Sequence, residues 1–247
     1  MRTPDLIILA AAGAILGSFA NVVIYRLPRG ESIVVPGSRC PRCGTPIRAW
    51  DNVPVVSFLL LRGRCRRCGG RIPWRYPLVE LLTAALVVAV GVRFKEFLPF
   101  LSALTLVFLL VVITFIDLDH QLILNRVTYP GIVIGFLMSA LSGRALSAGL
   151  AGLGAAAVIL AIVVLSRGGM GGGDIKLAAV MGVFLGWPSI AVALFVAFLA
   201  GGLVGLVLLA LRLRGRKDAI PFGPALAAGA VAALFWGDMI VRWYWPQ

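Results

Sequence analysis

The chain has 247 residues, of which 60% are hydrophobic and 13% charged, and its mean hydropathy is +1.00. Soluble domains carry about twice that share of charge, so a water-soluble globule is excluded. Lys and Arg number 23 against 10 Asp and Glu, a net charge of +13; the basic residues flank apolar runs, which points to loops at a membrane surface and to lipid rather than to nucleic acid.

The first apolar run, residues 6–25, is longer than the core of about 7–15 residues of a cleavable signal, so it reads as a retained helix. A polar segment over 26–76 follows, with eleven Arg against Glu31 and Asp51, six Pro and all four Cys. Seven more apolar runs follow, at 77–92, 97–116, 127–141, 146–165, 175–187, 189–211 and 222–241. A crossing takes ~20 apolar residues, and lipid requires every backbone polar group to be satisfied internally. The pattern therefore predicts an all-α polytopic membrane protein of about eight transmembrane helices with one small extramembrane segment. The run at 175–187 is short for a crossing. The predicted division is a first transmembrane helix (1–25), a cysteine segment (26–76) and a seven-helix membrane core (77–247). With the amino terminus outside, 18 of the 23 basic residues fall on cytoplasmic loops, as the positive-inside rule requires. Arg242-Trp243-Tyr244-Trp245 then reads as an outer interfacial anchor.

The cysteines form two C-x2-C pairs, Cys40 with Cys43 and Cys65 with Cys68. Residues 40–47 read CPRCGTPI and 65–72 read CRRCGGRI, two copies of one turn. Such pairs place four thiolates around one structural zinc, and a cytoplasmic setting disfavours the competing reading as two disulfides. A four-thiolate site has no open position for catalysis.

Ionisable residues at membrane depth default to function. Asp117 follows the run ending Phe115-Ile116, and Asp174 follows Gly171-Gly172-Gly173. On the predicted topology both lie at cytoplasmic helix ends, where they can meet and share a proton as an acid/base pair. The glycine run allows close passage of a substrate backbone and positive φ. Alternatively, Asp174 is a helix cap, and Asp119 is an interfacial carboxylate. His120 reads as a polar loop residue. Glu80, about one turn into its run, needs a partner, for which an Arg of the basic segment is the candidate. Lys176 reads as a counter-charge to Asp174 or as a snorkelling side chain. A proton- or cation-coupled transporter, using both aspartates as a relay, and a structural scaffold are the alternatives of other classes.

These residues resemble the bacterial type IV prepilin peptidases. GSFANVVIYRLP at 17–28 resembles the family's first helix and its exit, and CPRCG with CRRCG its zinc loop. FIDLDHQLI at 115–123 and GGMGGGDIKLAA at 168–179 resemble the two aspartate segments, the second carrying the GxGD motif. IPFGPALAAG at 220–229 resembles the late PFGP-containing segment. The resemblance implies a catalytic pair of Asp117 and Asp174, with Asp119 the rival for the first role. It implies that Gly171, Gly173 and Lys176 belong to the active-site loop. It also implies cleavage of the basic leader of prepilins and pseudopilins after Gly, at the cytoplasmic face of the bacterial inner membrane. N-methylation of the new first residue, usually Phe, with S-adenosylmethionine would follow; a protease-only relative is the same-class alternative. Asn21, Arg26 and Glu80, with the zinc segment, are the candidate face for that cofactor. One departure stands out: Leu124-Asn125 occupies the place where the family usually has Pro followed by Asp or Asn.

Overall fold

The computed structural model describes residues 3–166, 170–213, 215 and 221–244; Gly168, Gly169, Ile220 and Trp245, which the motifs above include, lie outside them. Each of the eight apolar runs forms a helix. In chain order these are α1 (Thr3–Arg26), then a short α2 (Val56–Leu60) within the cysteine segment, α3 (Arg75–Arg93), α4 (Phe97–His120), α5 (Asn125–Leu141), α6 (Ala145–Leu165), α7 (Gly172–Leu185), α8 (Ser189–Ala210) and α9 (Gly223–Tyr244). Six of them, α1, α3, α4, α6, α8 and α9, are long and apolar enough to cross a membrane. The other two run-derived helices, α5 with 17 residues and α7 with 14, fall short of that length. Along α8, Phe195, Leu199, Leu203 and Leu206 are exposed at helical spacing. An outward apolar stripe of this kind is stable against lipid and not against water.

The contacts divide the chain into two units, Met1–Lys95 and Glu96–Gln247. This differs from the division at residue 77, because α3 packs along α1 rather than with the later helices. The sequence between them, rich in Arg and Pro, hid that pairing. Gly13 and Gly17, four residues apart, make the close approach: a Cβ on Gly17 would lie 2.7 Å from the Glu80 Cα. Small residues at this spacing let membrane helices touch along their backbones. Gly17→Ala must therefore push α1 off α3, with an expected loss of about 1–3 kcal/mol. The check is the thermal midpoint in detergent, against Gly154→Ala, where a Cβ meets open space and no loss is expected.

In the second unit the short α7 is the central element, packed on α4, α5, α6, α8 and α9. From Leu177 to Leu185 it is almost wholly buried, so protein, not lipid, covers that stretch, whereas Gly172 at its start is exposed. Ser139 on α5 donates to the Val183 carbonyl of α7 at 2.7 Å, an interhelical bond of the kind that fixes membrane packing. The short α7 holds its amino-terminal turn against the last turn of α4.

Candidate active site, metal centre and cavity

Asp117 sits in the last turn of α4 and Asp174 in the first turn of α7, and they are 5% and 6% exposed. They are close enough for the charge of one to act on the other. Each has one carboxyl oxygen anchored by a backbone amide. Gly223, at the start of α9, donates to Asp117 Oδ2 at 2.9 Å, and Gly171 donates to Asp174 Oδ2 at 3.1 Å. Cap and buried carboxylate are thus the same residue: Asp174 reaches back to its N-cap, as in a capping box. Asp119 and His120 are exposed, so depth separates Asp117 from its rival.

The helix ends place these groups. Gln121 adopts a left-handed φ of 51° and donates to the Asp117 carbonyl at 2.8 Å, which stops α4 one turn beyond the carboxylate. Leu124 has φ −76°, inside the range of about −65 ± 15° that proline imposes, so the turn keeps a proline-compatible shape without the proline. The glycine run works differently from expectation. Gly171 is extended, with φ −80°, and the positive-φ glycines lie elsewhere among the described residues. Gly173 instead permits contact: a Cβ there would lie 2.7 Å from the Ile123 Cβ. Lys176 is not engaged as a counter-charge to Asp174; its ammonium donates to Asn125 Oδ1 and lies 5.5 Å from the Tyr129 ring centroid. Asn125, next to the missing proline, is therefore a partner of α7.

The four cysteines come together. Their Sγ atoms all lie within 4.8 Å of one another, and Cys40 and Cys68 are 4.0 Å apart. Four sulfurs held at ~2.3 Å from one zinc lie about 3.8 Å apart, so the donor set fits a tetrahedral ion. The sequence repeat is a structural repeat. Cys40 N–H bonds to Thr45 O and Gly44 N–H to Cys40 O; Cys65 N–H bonds to Gly70 O and Gly69 N–H to Cys65 O. Gly44 and Gly69 take the matching positive φ of 68° and 67°. The Thr45 hydroxyl and amide lower the Cys43 thiol to about 6, and the amides of Cys68 and Arg67 lower that of Cys65. Both shifts favour thiolates, the form a metal binds; against the lowering by the Gly70 amide, burial and the three neighbouring thiols push that of Cys68 up to about 11. Arg66 grips Asp51 with two nitrogens, at 2.7 and 3.0 Å, tying the second turn to residues 49–51 and holding the Asp51 carboxyl below the usual range.

A cavity of about 760 Å³ opens within the first unit, lined by Asn21, Arg26, Glu80, Tyr76, Phe58 and parts of the cysteine segment. The three residues named as a candidate face thus line one space. Arg26 is already committed, donating to the Ser32 and Gly37 carbonyls at 3.0 and 3.1 Å. Glu80 has its partner in the segment, but it is an amide rather than an Arg: Val55 N–H donates to Oε2 at 2.7 Å. Val55 pays for this with φ 61°, a rare conformation for a β-branched residue. Asn21 is 3% exposed; its Nδ2 donates to the Tyr76 carbonyl at 3.0 Å and its Oδ1 is buried with no partner.

Two family models match the chain: the bacterial peptidase A24 N-terminal domain over residues 11–94 and the type IV leader peptidase family over 104–206. The prepilin leader peptidase/N-methyltransferase of Aeromonas hydrophila is 41% identical over an alignment of 261 positions that covers 93% of this chain and 90% of that protein. The chain belongs to the type IV leader peptidase family. The same-named proteins of Bacillus subtilis and Legionella pneumophila are 38% and 35% identical, over 96% and 93% of this chain and 96% and 90% of their own lengths. No solved structure matches it. The apolar helices and the family together make it a multi-pass inner-membrane enzyme. Two site contacts escaped the sequence reading. The Gly223 amide on Asp117 spans 106 residues, and the Val55 amide on Glu80 comes from a loop residue with no chemistry of its own. The only signal for the first was the PFGP-containing stretch.

Proposed function

We propose that this protein removes the leader of type IV prepilins and pseudopilins and then methylates the exposed amino terminus. The observation that carries the first half is the pair of buried carboxylates, each with one oxygen held by a backbone amide. Two such groups cannot both ionise freely, so one keeps a proton. The ionised aspartate takes a proton from the attacking water while the protonated one donates to the scissile carbonyl, and the roles reverse as the tetrahedral centre collapses. Asp117 and Asp174 are the pair. Gly171 and Gly173 shape the loop between them and the substrate, and Lys176 braces it through Asn125. The substrate is a basic leader ending in Gly, followed by an apolar helix whose first residue is Phe. The active site and the cysteine segment face the cytoplasm, where the Arg count puts them, and lipid covers the outer helix faces.

For the second half, Cys40, Cys43, Cys65 and Cys68 hold a structural zinc that folds the cavity wall and takes no chemical part. The methyl donor is S-adenosylmethionine, seated in the cavity of the first unit. That cavity has the size of a small-molecule site. When bound, the cofactor supplies an electrophilic methyl group. Residues 26–76 thus serve methyl transfer and residues 96–247 form the peptidase core. Neither the geometry nor the relatives favour the protease-only, transport or scaffold readings.

The test is incubation of the purified protein with a prepilin, followed by intact mass. Loss of the leader, then gain of one methyl group when the donor is added, is the expected result. A substrate unchanged by zinc-loaded protein across several prepilins would contradict it. Gly223→Ala sharpens the first half. Its Cβ would lie 2.6 Å from Asp117 Oδ2 and displace the carboxylate. Cleavage is expected to fall about a hundredfold, the cost of a ~1 Å misplacement at a reacting centre, with methylation of a pre-cleaved peptide unchanged.

A further inference from the structure

Two residues that carry acceptors, Asn21 and Glu80, line the cavity of the first unit. Asn21 on α1 uses Nδ2 on the Tyr76 carbonyl, which can only accept. That contact fixes the amide orientation and leaves Oδ1 buried and unpaired. An unpaired buried acceptor costs stability, and native structures tolerate few of them unless a ligand or water completes them. Glu80 on α3 is 8% exposed and lines the same cavity. Its carboxylate takes the Val55 amide on Oε2 and a hydrogen bond from the Ser18 side chain, and among the described residues no ion pair to it is present. An amide carbonyl and a carboxylate, neither of them ion-paired with an Arg of the cavity's lining, form a seat for an ammonium group.

We infer that Asn21 and Glu80 bind the α-ammonium of the cleaved substrate, the nitrogen that receives the methyl group. The inference rests on the methyltransferase reading above. Two sources offer an ammonium to this cavity: the substrate's new amino terminus and the amino-acid end of the donor. The position favours the substrate. Asn21 lies inside the apolar run of α1, before the polar segment, and Glu80 lies inside α3, so both stand at the depth where an apolar helix ends. The cysteine segment, with its many Arg, is the natural wall for a soluble donor and its carboxylate. Glu80 and Asn21 are positioned to hold and orient the nitrogen, and specificity for a free amine over a capped one follows.

The experiment compares two synthetic peptides carrying the mature pilin's apolar amino terminus, one with a free α-amine and one acetylated. Binding to the zinc-loaded protein is read by fluorescence anisotropy in detergent, without donor. Wild type is expected to prefer the free amine about tenfold or more, the scale of a charge-assisted bond in a buried site. Glu80→Gln, which keeps an acceptor for the Val55 amide, is expected to bring the two affinities together while leader cleavage and zinc content stay at wild-type levels. Asn21→Ser is the second variant and is expected to narrow the preference without abolishing it. Equal affinities in wild type, or an undiminished preference in Glu80→Gln, would overturn the inference. Loss of S-adenosylhomocysteine affinity in Glu80→Gln with the amine preference intact would give the seat to the donor and overturn it equally. Absence of methyl transfer by wild type speaks against the methyltransferase reading instead, since the amine preference is read without it.

Discussion

Asp117→Asn and Asp174→Asn are each expected to abolish leader cleavage, with a loss of at least about 10⁴-fold. The expectation comes from the site's geometry. Each carboxylate is buried at a helix end, has Oδ2 tied to a backbone amide and has its second oxygen left for water or substrate. Asparagine keeps an acceptor for the Gly223 or Gly171 amide, so the helix ends stay in place. It cannot pass a proton, so the acid/base pair is lost. The loss is expected for either residue alone, because the two act as one unit. Asp119→Asn, at an exposed position, is expected to cleave at close to the wild-type rate. The measurement is the rate of leader loss by mass, with the thermal midpoint in detergent reporting the fold. Cleavage surviving in either buried variant, at an unchanged midpoint, would reduce Asp174 to a cap and Asp117 to its neighbour.

Removing the metal is expected to have the second-largest effect, and on the other reaction. Cys40→Ser, or exhaustive chelation, should eliminate methyl transfer to a pre-cleaved peptide. The cysteine segment has little apolar interior: Val34, Val35, Trp50, Leu59 and Leu60 are all exposed, and Cys40 is among its few buried side chains. A four-thiolate zinc supplies on the order of 10–16 kcal/mol to such a fold, far more than its surface pairs. Without it the paired turns around Gly44 and Gly69 keep only their local hydrogen bonds and the Arg66–Asp51 pair, and the cavity loses a wall. Leader cleavage is expected to persist, because Asp117, Asp174 and Gly223 lie in the second unit. Elemental analysis and the two assays on one preparation check this. Full methyl transfer by a zinc-free protein would make the cysteines incidental.

Most of the helices were legible because lipid leaves a chain few choices: a run of some twenty apolar residues has to satisfy its own backbone. The cysteine turns were legible because their repeat is local, closing within six residues of each first Cys. Asp117 and Asp174 stood out because charge is scarce in such a chain. What stayed hidden depends on contacts between distant segments. Nothing near Asp117 announces that Gly223 will donate to it, and nothing near Glu80 announces Val55. The pairing of α3 with α1 follows from Gly13 and Gly17 meeting Ala84 and Glu80; their four-residue spacing marks a packing face on α1 but does not say which helix meets it. The glycines before Asp174 invited a positive-φ reading, yet their use is the approach of Ile123 to Gly173. Lys176 looked like a counter-charge because it is two residues away in sequence; on a helix, neighbours two apart face different ways.

We propose that an aspartate pair in one unit cuts and a zinc-supported cavity in the other methylates. Mixing the two inactive variants tests this division of labour. Asp117→Asn and Cys40→Ser are incubated with one prepilin and the methyl donor, separately and together, and the products are read by intact mass. Asp117→Asn alone should leave the prepilin intact, and Cys40→Ser alone should yield the leader-free, unmethylated chain. Together they should produce the leader-free, methylated chain. Cleavage by Cys40→Ser without any methylated product in the mixture, while Asp117→Asn still fails on a pre-cleaved peptide, would contradict the account and tie both reactions to a single site.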